Sequence, residues 1–236
     1  MNKFWNFTTG ADGRRTLRIE GYIIDADPWF LEDEEEGNFT VAKEFKKELG
    51  QGESDIDLWI NSGGGDVFAA NEIYNALREY PGKVTVKIDT LAASAASVVA
   101  MAGDTIEISR VGLIMIHDPM TLVIGNAREL ENAATRLVAI KNSLINAYEA
   151  KTGLDREVIG EYMSRETVFD ANEAVRVGFA DRIIGEEVDP APAVNAAMFS
   201  RKNVYKALMA GFGENKLPPA KRVKAAGLYK KLDNLK

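Results

Sequence analysis

Two hydrophobic rhythms alternate along this chain, one of period two and one near 3.6, and their order predicts strands separated by helices. Residues 16–25, TLRIEGYIID, alternate and read as a first strand, followed by the acidic run DPWFLEDEEEGN as a solvated loop. Residues 39–49, FTVAKEFKKEL, read as a short amphipathic helix with Val41, Phe45 and Leu49 at helical spacing. DIDLWIN places Ile56, Leu58 and Ile60 on one strand face and runs into a glycine turn, SGGGD, after which VFAANEIYNALREYPG is a helix closed by Pro-Gly. KVTVKID is another strand, TIEIS and GLIMIHDP are two shorter ones, 128–152 is a long helix and DREVIGEYMSRE a further one. This alternation predicts an α/β layer architecture with its site in loops at strand ends.

Between KVTVKID and TIEIS lies TLAASAASVVAMAGD, with two serines three residues apart among alanines. Ser94 falls at the expected helix start, where Ala92, Ala93, Ala95 and Ala96 leave room for a substrate backbone, although a serine there also serves as an N-cap. Ser97 falls one turn in, where a buried serine bonds a carbonyl one turn back. Position therefore favours Ser94 as the exposed hydroxyl. A serine nucleophile needs a base, and His117 stands at the end of GLIMIHDP, a strand end like the others. Two carboxylates are candidates to orient its imidazole. Asp170 fits an N-cap, with Glu173 completing a capping-box pattern and Gly178 ending the helix, which leaves Glu166 as the freer candidate. The glycines of INSGGGD present backbone N–H groups suited to a phosphate or an oxyanion, but no Gly-Lys-Ser/Thr ending or GxGxxG spacing supports a phosphate loop.

Composition limits the chemistry further. The 236 residues contain no cysteine and one histidine, which excludes disulfides, thiolate metal sites and His-rich metal sites and fits a reducing compartment. No cofactor is expected. The N-terminal stretch lacks a secretory h-region and no window reaches the ~18 apolar residues of a membrane helix, so a cytoplasmic protein without a membrane partner is expected. The net charge of −7 is uneven: residues 190–236 carry ten Lys/Arg against Glu214 and Asp233, a net +8, leaving −15 on the remainder. With the prolines of EEVDPAPAVNAAMFSRK, this divides the chain into a domain at 1–186 and a linker with a basic tail at 187–236, partly helical around NVYKALMAGF or flexible.

Four ordered motifs over residues 18–184 resemble the proteolytic subunit of the Clp protease (ClpP) family, and more closely its phage- and prophage-encoded head-maturation branch. INSGGG with IYNAL is similar to the I-N-S-P-G-G…I-Y block, with Gly63 where cellular members carry proline. AASAASVVAMAGD resembles the nucleophile block; the spacing from Ser94 to Gly103 matches it and that from Ser97 does not. LIMIHDP matches M-I-H-x-P at His117. ETVFDANEAVRVGFAD is similar to the block that opens on the triad aspartate, here Glu166. The resemblance implies a crotonase-like spiral of ββα units with residues 128–152 as a protruding handle helix, and a serine endopeptidase with oxyanion donors at the Gly65 and Ala95 N–H groups. It also implies a homo-oligomeric ring, stacked through the handle, that admits unfolded or extended protein segments. Scaffold or capsid processing during head maturation is the expected role; a general peptidase partnered with a Clp-type ATPase is the near variant. A crotonase-type acyl-CoA enzyme would need no serine nucleophile, and a non-catalytic assembly protein would keep the ring alone. Nucleic acid is not an expected partner.

Overall fold

The computed structural model describes residues 8–9, 13–25 and 39–186. The acidic run and the tail expected at 187–236, with its short helix, lie outside the described residues. Among the described residues the order is β1 (Thr8–Thr9), β2 (Arg15–Ile24), β3 (Phe39–Val41), α1 (Ala42–Leu49), β4 (Ile56–Gly65), α2 (Val67–Arg78), β5 (Val84–Ala93), α3 (Ala95–Ala100), β6 (Thr105–Ile108), β7 (Leu113–Ile116), α4 (Ala127–Thr152), α5 (Arg156–Ser164), β8 (Thr167–Asp170), α6 (Ala171–Val177) and β9 (Arg182–Ile183). The strands form one sheet in the order β1-β2-β4-β5-β6-β9, with β3 beside β2 and β7 joining β5 to β8. All pairings are parallel except β1 with β2 and β7 with β8. This is the mixed α/β fold that the alternation of periods predicts.

The period of two sorts the sheet's faces. Leu17, Ile19, Ile56, Leu58, Ile60, Val86 and Ile88 are fully buried, packed in one cluster with Phe45 and Leu49 of α1 and Ile73 and Leu77 of α2. The intervening positions form a polar face. Lys87 Nζ lies 2.8 Å and Arg14 Nη2 2.6 Å from the two oxygens of Asp57, and both Arg18 and Lys87 sit 5.4 Å from the centre of the Trp59 ring.

Two local expectations are corrected. Residues 39–41 are a strand rather than the first turn of a helix, because β-branched Thr40 and Val41 extend alongside β2 and α1 starts at Ala42. The glycines at 63–65 end a strand rather than form a separate turn: an irregularity in the β2 register between Glu20 and Tyr22 restores pairing of Tyr22 with Gly64 and Ile23 with Gly65. The 26-residue α4 starts at a capping box between Asn126 and Glu129 and stops at Gly153, whose φ of 67° is left-handed. Residues 127–132 are all exposed, whereas Leu144, Ile145, Ala147 and Tyr148 are buried, so the start of α4 stands clear of the domain.

The polar face yields a pH test. Partial burial pushes the Asp57 carboxyl up, but hydrogen bonds and charge from Lys87 and Arg14 outweigh it and hold the group below the usual carboxylate range. A carboxylate lowered in the folded state stabilises the fold above its unfolded value, and the contribution fades as pH falls through the folded value. Asp57→Asn is therefore expected to melt below wild type near neutral pH, with the gap closing below about pH 4; thermal melts across that range measure it.

Candidate active site

β5 ends at Ala93 and α3 begins at Ala95, so Ser94 alone makes the strand-to-helix turn. Its φ of 53° and ψ of −127° lie where a side-chain-bearing residue is seldom found, at a cost of roughly 1–3 kcal/mol that surrounding structure must offset. Two backbone hydrogen bonds do so: Ser94 N–H donates to Met115 O at 2.9 Å, and Ser97 N–H donates to Ser94 O at 3.0 Å. Ser94 makes no side-chain cap bond. Its Oγ lies 2.7 Å from His117 Nε2, which replaces the capping role with the geometry of an activated nucleophile. Ser97 is fully buried, and its hydroxyl donates to Ser94 O at 2.6 Å, the one-turn-back bond expected of it. The flanking alanines are also buried, so they clear space for neighbouring backbone and not for open solvent.

His117 reaches Ser94 through strand register. β5 pairs with β6 over Thr85 to Ile88, then with β7 over Leu91 to Ala93, opposite Leu113 to Met115. One residue past Ala93 is Ser94 and two past Met115 is His117. Beyond the histidine, Asp118 N–H donates to Met163 O at 3.2 Å, and Ser164 Oγ donates to Asp118 Oδ2 at 3.1 Å. Lys141 Nζ of α4 lies 2.6 Å from Asp118 Oδ1, holding it by charge rather than by an aligned hydrogen bond.

The carboxylate candidates separate clearly. Asp170 caps α6, accepting from Glu173 N–H at 2.9 Å, and pairs with Leu113, four residues before His117 and so roughly 13 Å away along the strand. Glu166 is the residue that would face His117 if the Ile116–Thr167 register ran one pair further. The ladder stops there, and Glu166 takes a left-handed φ of 52°. Its N–H donates to Met163 O at 3.0 Å, the carbonyl that also holds Asp118 N–H. The side chain is exposed, and among the described residues no hydrogen bond joins it to the imidazole.

The glycine segment closes the other side. Asp66 N–H donates to Ile23 O at 2.8 Å and Gly64 N–H to Ser62 Oγ at 3.1 Å; Gly65, between them, lines the cleft with Ser94, Ala95 and His117. Gly64 was not singled out by motif reading, since any of three consecutive glycines fits the motif. Its φ is 97°, and a Cβ there would lie 2.7 Å from Ala93 O and 2.8 Å from both Ala95 N and Ser94 Cβ. The cleft holds about 280 Å³, and Phe68, Leu137, Ile140 and Leu144 give it apolar walls. Among the described residues no His, Asp or Glu side chains cluster as a metal site, and no helix is long and apolar enough to cross a membrane.

A Ser–His pair on a strained turn, beside a glycine-lined cleft, occurs in more than one hydrolase fold, and sequence comparison decides between them. The family profile described as Clp protease matches residues 38–187, well over half of the chain. The chain belongs to the Clp protease family. That places it among serine peptidases. The ATP-dependent Clp protease proteolytic subunit of Deinococcus radiodurans is 30% identical over 153 residues, covering 63% of this chain and 74% of the relative. A ClpP1 mutant from Listeria monocytogenes shares the fold, with a TM-score of 0.59 at 22% identity over 73% of this chain and 92% of that one.

The close approach of Gly64 is testable against its neighbour. Gly64→Ala is expected to cost about 1–3 kcal/mol and to slow labelling of the protein by a fluorophosphonate, because both φ and the contact at Ser94 are affected. Gly63→Ala, whose Cβ would meet nothing within 4 Å, should match wild type in melting temperature and labelling rate.

Proposed function

We propose that this Clp-family chain is a serine endopeptidase whose nucleophile is Ser94 and whose general base is His117. The observation that carries the reading is the 2.7 Å Ser94 Oγ to His117 Nε2 contact at a residue held in left-handed backbone geometry. Ser94 attacks the peptide carbonyl while His117 takes its proton and returns it to the leaving amine; water then releases the acyl group by the same base. The Gly65 and Ala95 N–H groups stabilise the oxyanion. Glu166 is the residue we assign to orient His117, and what supports it is that its backbone hangs on the same Met163 carbonyl as the residue after the histidine. The apolar walls of the cleft favour an apolar side chain before the scissile bond.

The substrate we assign is an unfolded or extended protein segment, specifically the scaffold or capsid proteins trimmed during phage head assembly. Gly63 in place of the cellular proline and Glu166 in place of the aspartate support that branch. Ring assembly through α4 is supported by the exposed start of that helix and by Leu122 and Ile124 just before it, 90% and 94% exposed. A general peptidase fed by a Clp-type ATPase uses the same site and differs only in what delivers the chain.

A fluorophosphonate probe is expected to label wild type and to leave Ser94→Ala unlabelled; persistent labelling of that variant would move the nucleophile elsewhere. Glu166→Gln should lower kcat by about 10² to 10⁴, and an unchanged kcat would remove Glu166 from the triad. Coexpression with a head scaffold protein should give Ser94-dependent fragments, whereas cleavage of unfolded casein only when a Clp ATPase and ATP are added would favour the general peptidase.

A further inference from the structure

We propose that Ser97 and Tyr148 are positioning residues that fix the Ser94–Ala95 peptide plane so that the Ala95 N–H points into the cleft as an oxyanion donor. The inference rests on the serine-peptidase reading and adds two side chains to it, one of them from α4.

The direction of the hydrogen bonds follows from proton count. The Ser97 hydroxyl has one proton and donates it to Ser94 O at 2.6 Å. The 2.8 Å contact between Ser97 Oγ and Tyr148 OH is then a bond donated by the tyrosine. The result is a chain from the Tyr148 phenol through the Ser97 hydroxyl to the Ser94 carbonyl, which also receives the Ser97 N–H at 3.0 Å. A trans peptide is planar, with its C=O and N–H pointing in opposite directions. Holding the Ser94 oxygen on the buried side therefore aims the Ala95 N–H the other way, toward the cleft that Ser94, Ala95 and Gly65 line.

This peptide needs holding. The Ser94 ψ of −127° sets its plane, in a turn that the positive φ leaves strained. Each hydrogen bond in the chain polarises the next, so the carbonyl at its end withdraws charge from its own N–H and strengthens that donor. Ser97 is 0% and Tyr148 1% exposed. Burial pushes the Tyr148 phenol well above its ordinary value, against the opposing effect of the Ser97 bond, so it stays protonated and able to donate. Its ring is fixed in turn: it packs edge-on to Phe179 at 5.6 Å, and Phe179 stacks on Phe169 at 4.9 Å.

Tyr148→Phe keeps the ring and removes the donor, and Ser97→Ala removes the bond to the peptide. With a fluorogenic peptide carrying an apolar residue before the scissile bond, Tyr148→Phe is expected to lower kcat about 10-fold and Ser97→Ala about 10- to 100-fold, each with KM within about twofold of wild type. The double variant should be no worse than Ser97→Ala alone, because the two act in series. The inhibition constant of a matched peptide boronate, whose tetrahedral adduct places an oxygen where the oxyanion forms, should rise by the same factor as kcat/KM falls. Wild-type kcat in Tyr148→Phe, a loss confined to KM, or unchanged boronate affinity would overturn the proposal; if Ser97→Ala fails to fold, Tyr148→Phe decides it alone. An active Ser94→Ala would instead sink the peptidase reading, whereas an inactive Ser94→Ala beside a fully active Tyr148→Phe would sink only this inference.

Discussion

The site depends on one feature of the sheet: β5 changes partner along its length. Its first half runs beside β6 and its last three residues beside β7. Parallel strands leave their C-terminal ends at one edge of the sheet, and this switch brings the ends of β5 and β7 together there. Ser94 and His117 are simply the next residues along those strands. Without the Ala93–Met115 pairing, neither a strained turn nor a lone histidine would bring the two side chains to 2.7 Å.

The strain at Ser94 and the small residues around it follow from the same constraint. At Ser94 the strand hands over to the helix in one residue at φ 53°, and the β4 glycines approach closely beside it. Gly64 comes so near the Ser94–Ala95 backbone that no side chain fits there, while the buried alanines on either side of Ser94 keep the rest of the contact small. The run of alanines and the run of glycines are thus two surfaces of one packing problem.

Much of this was legible in the sequence, to different degrees. Period-two strands set the core face correctly, since Ile56, Leu58 and Ile60 are all fully buried. The cap of α6 at Asp170 and its stop at Gly178 followed from local chemistry that tertiary context did not override. Residues 39–41 were misread because a β-branched pair preceding an amphipathic run fits either period until a neighbouring strand is known. Ser94 and His117 were singled out because strand ends gather sites, but the register that brings them together is a long-range property that no local pattern encodes. The motif order pointed to Glu166, but its left-handed backbone and exposed carboxylate depend on how β8 meets α5. Tyr148 gave no signal, because a tyrosine in a long helix has no motif and its partner is 51 residues away.

What α4 does illustrates the gap between pattern and role. Leu137, Ile140, Leu144 and Tyr148 follow helical spacing and line the cleft. Lys141 and Tyr148 are seven residues apart, two turns, and so lie on the same stripe. The first holds Asp118, the residue after His117, and the second reaches Ser97, beneath Ser94. One face of one helix therefore forms a wall of the cleft and supports both members of the Ser–His pair from behind. A displacement of α4 along its axis would shift both supports together, because they are carried on a single rigid element. The helix that stands clear of the domain at one end is, at its other end, the common backing of the site.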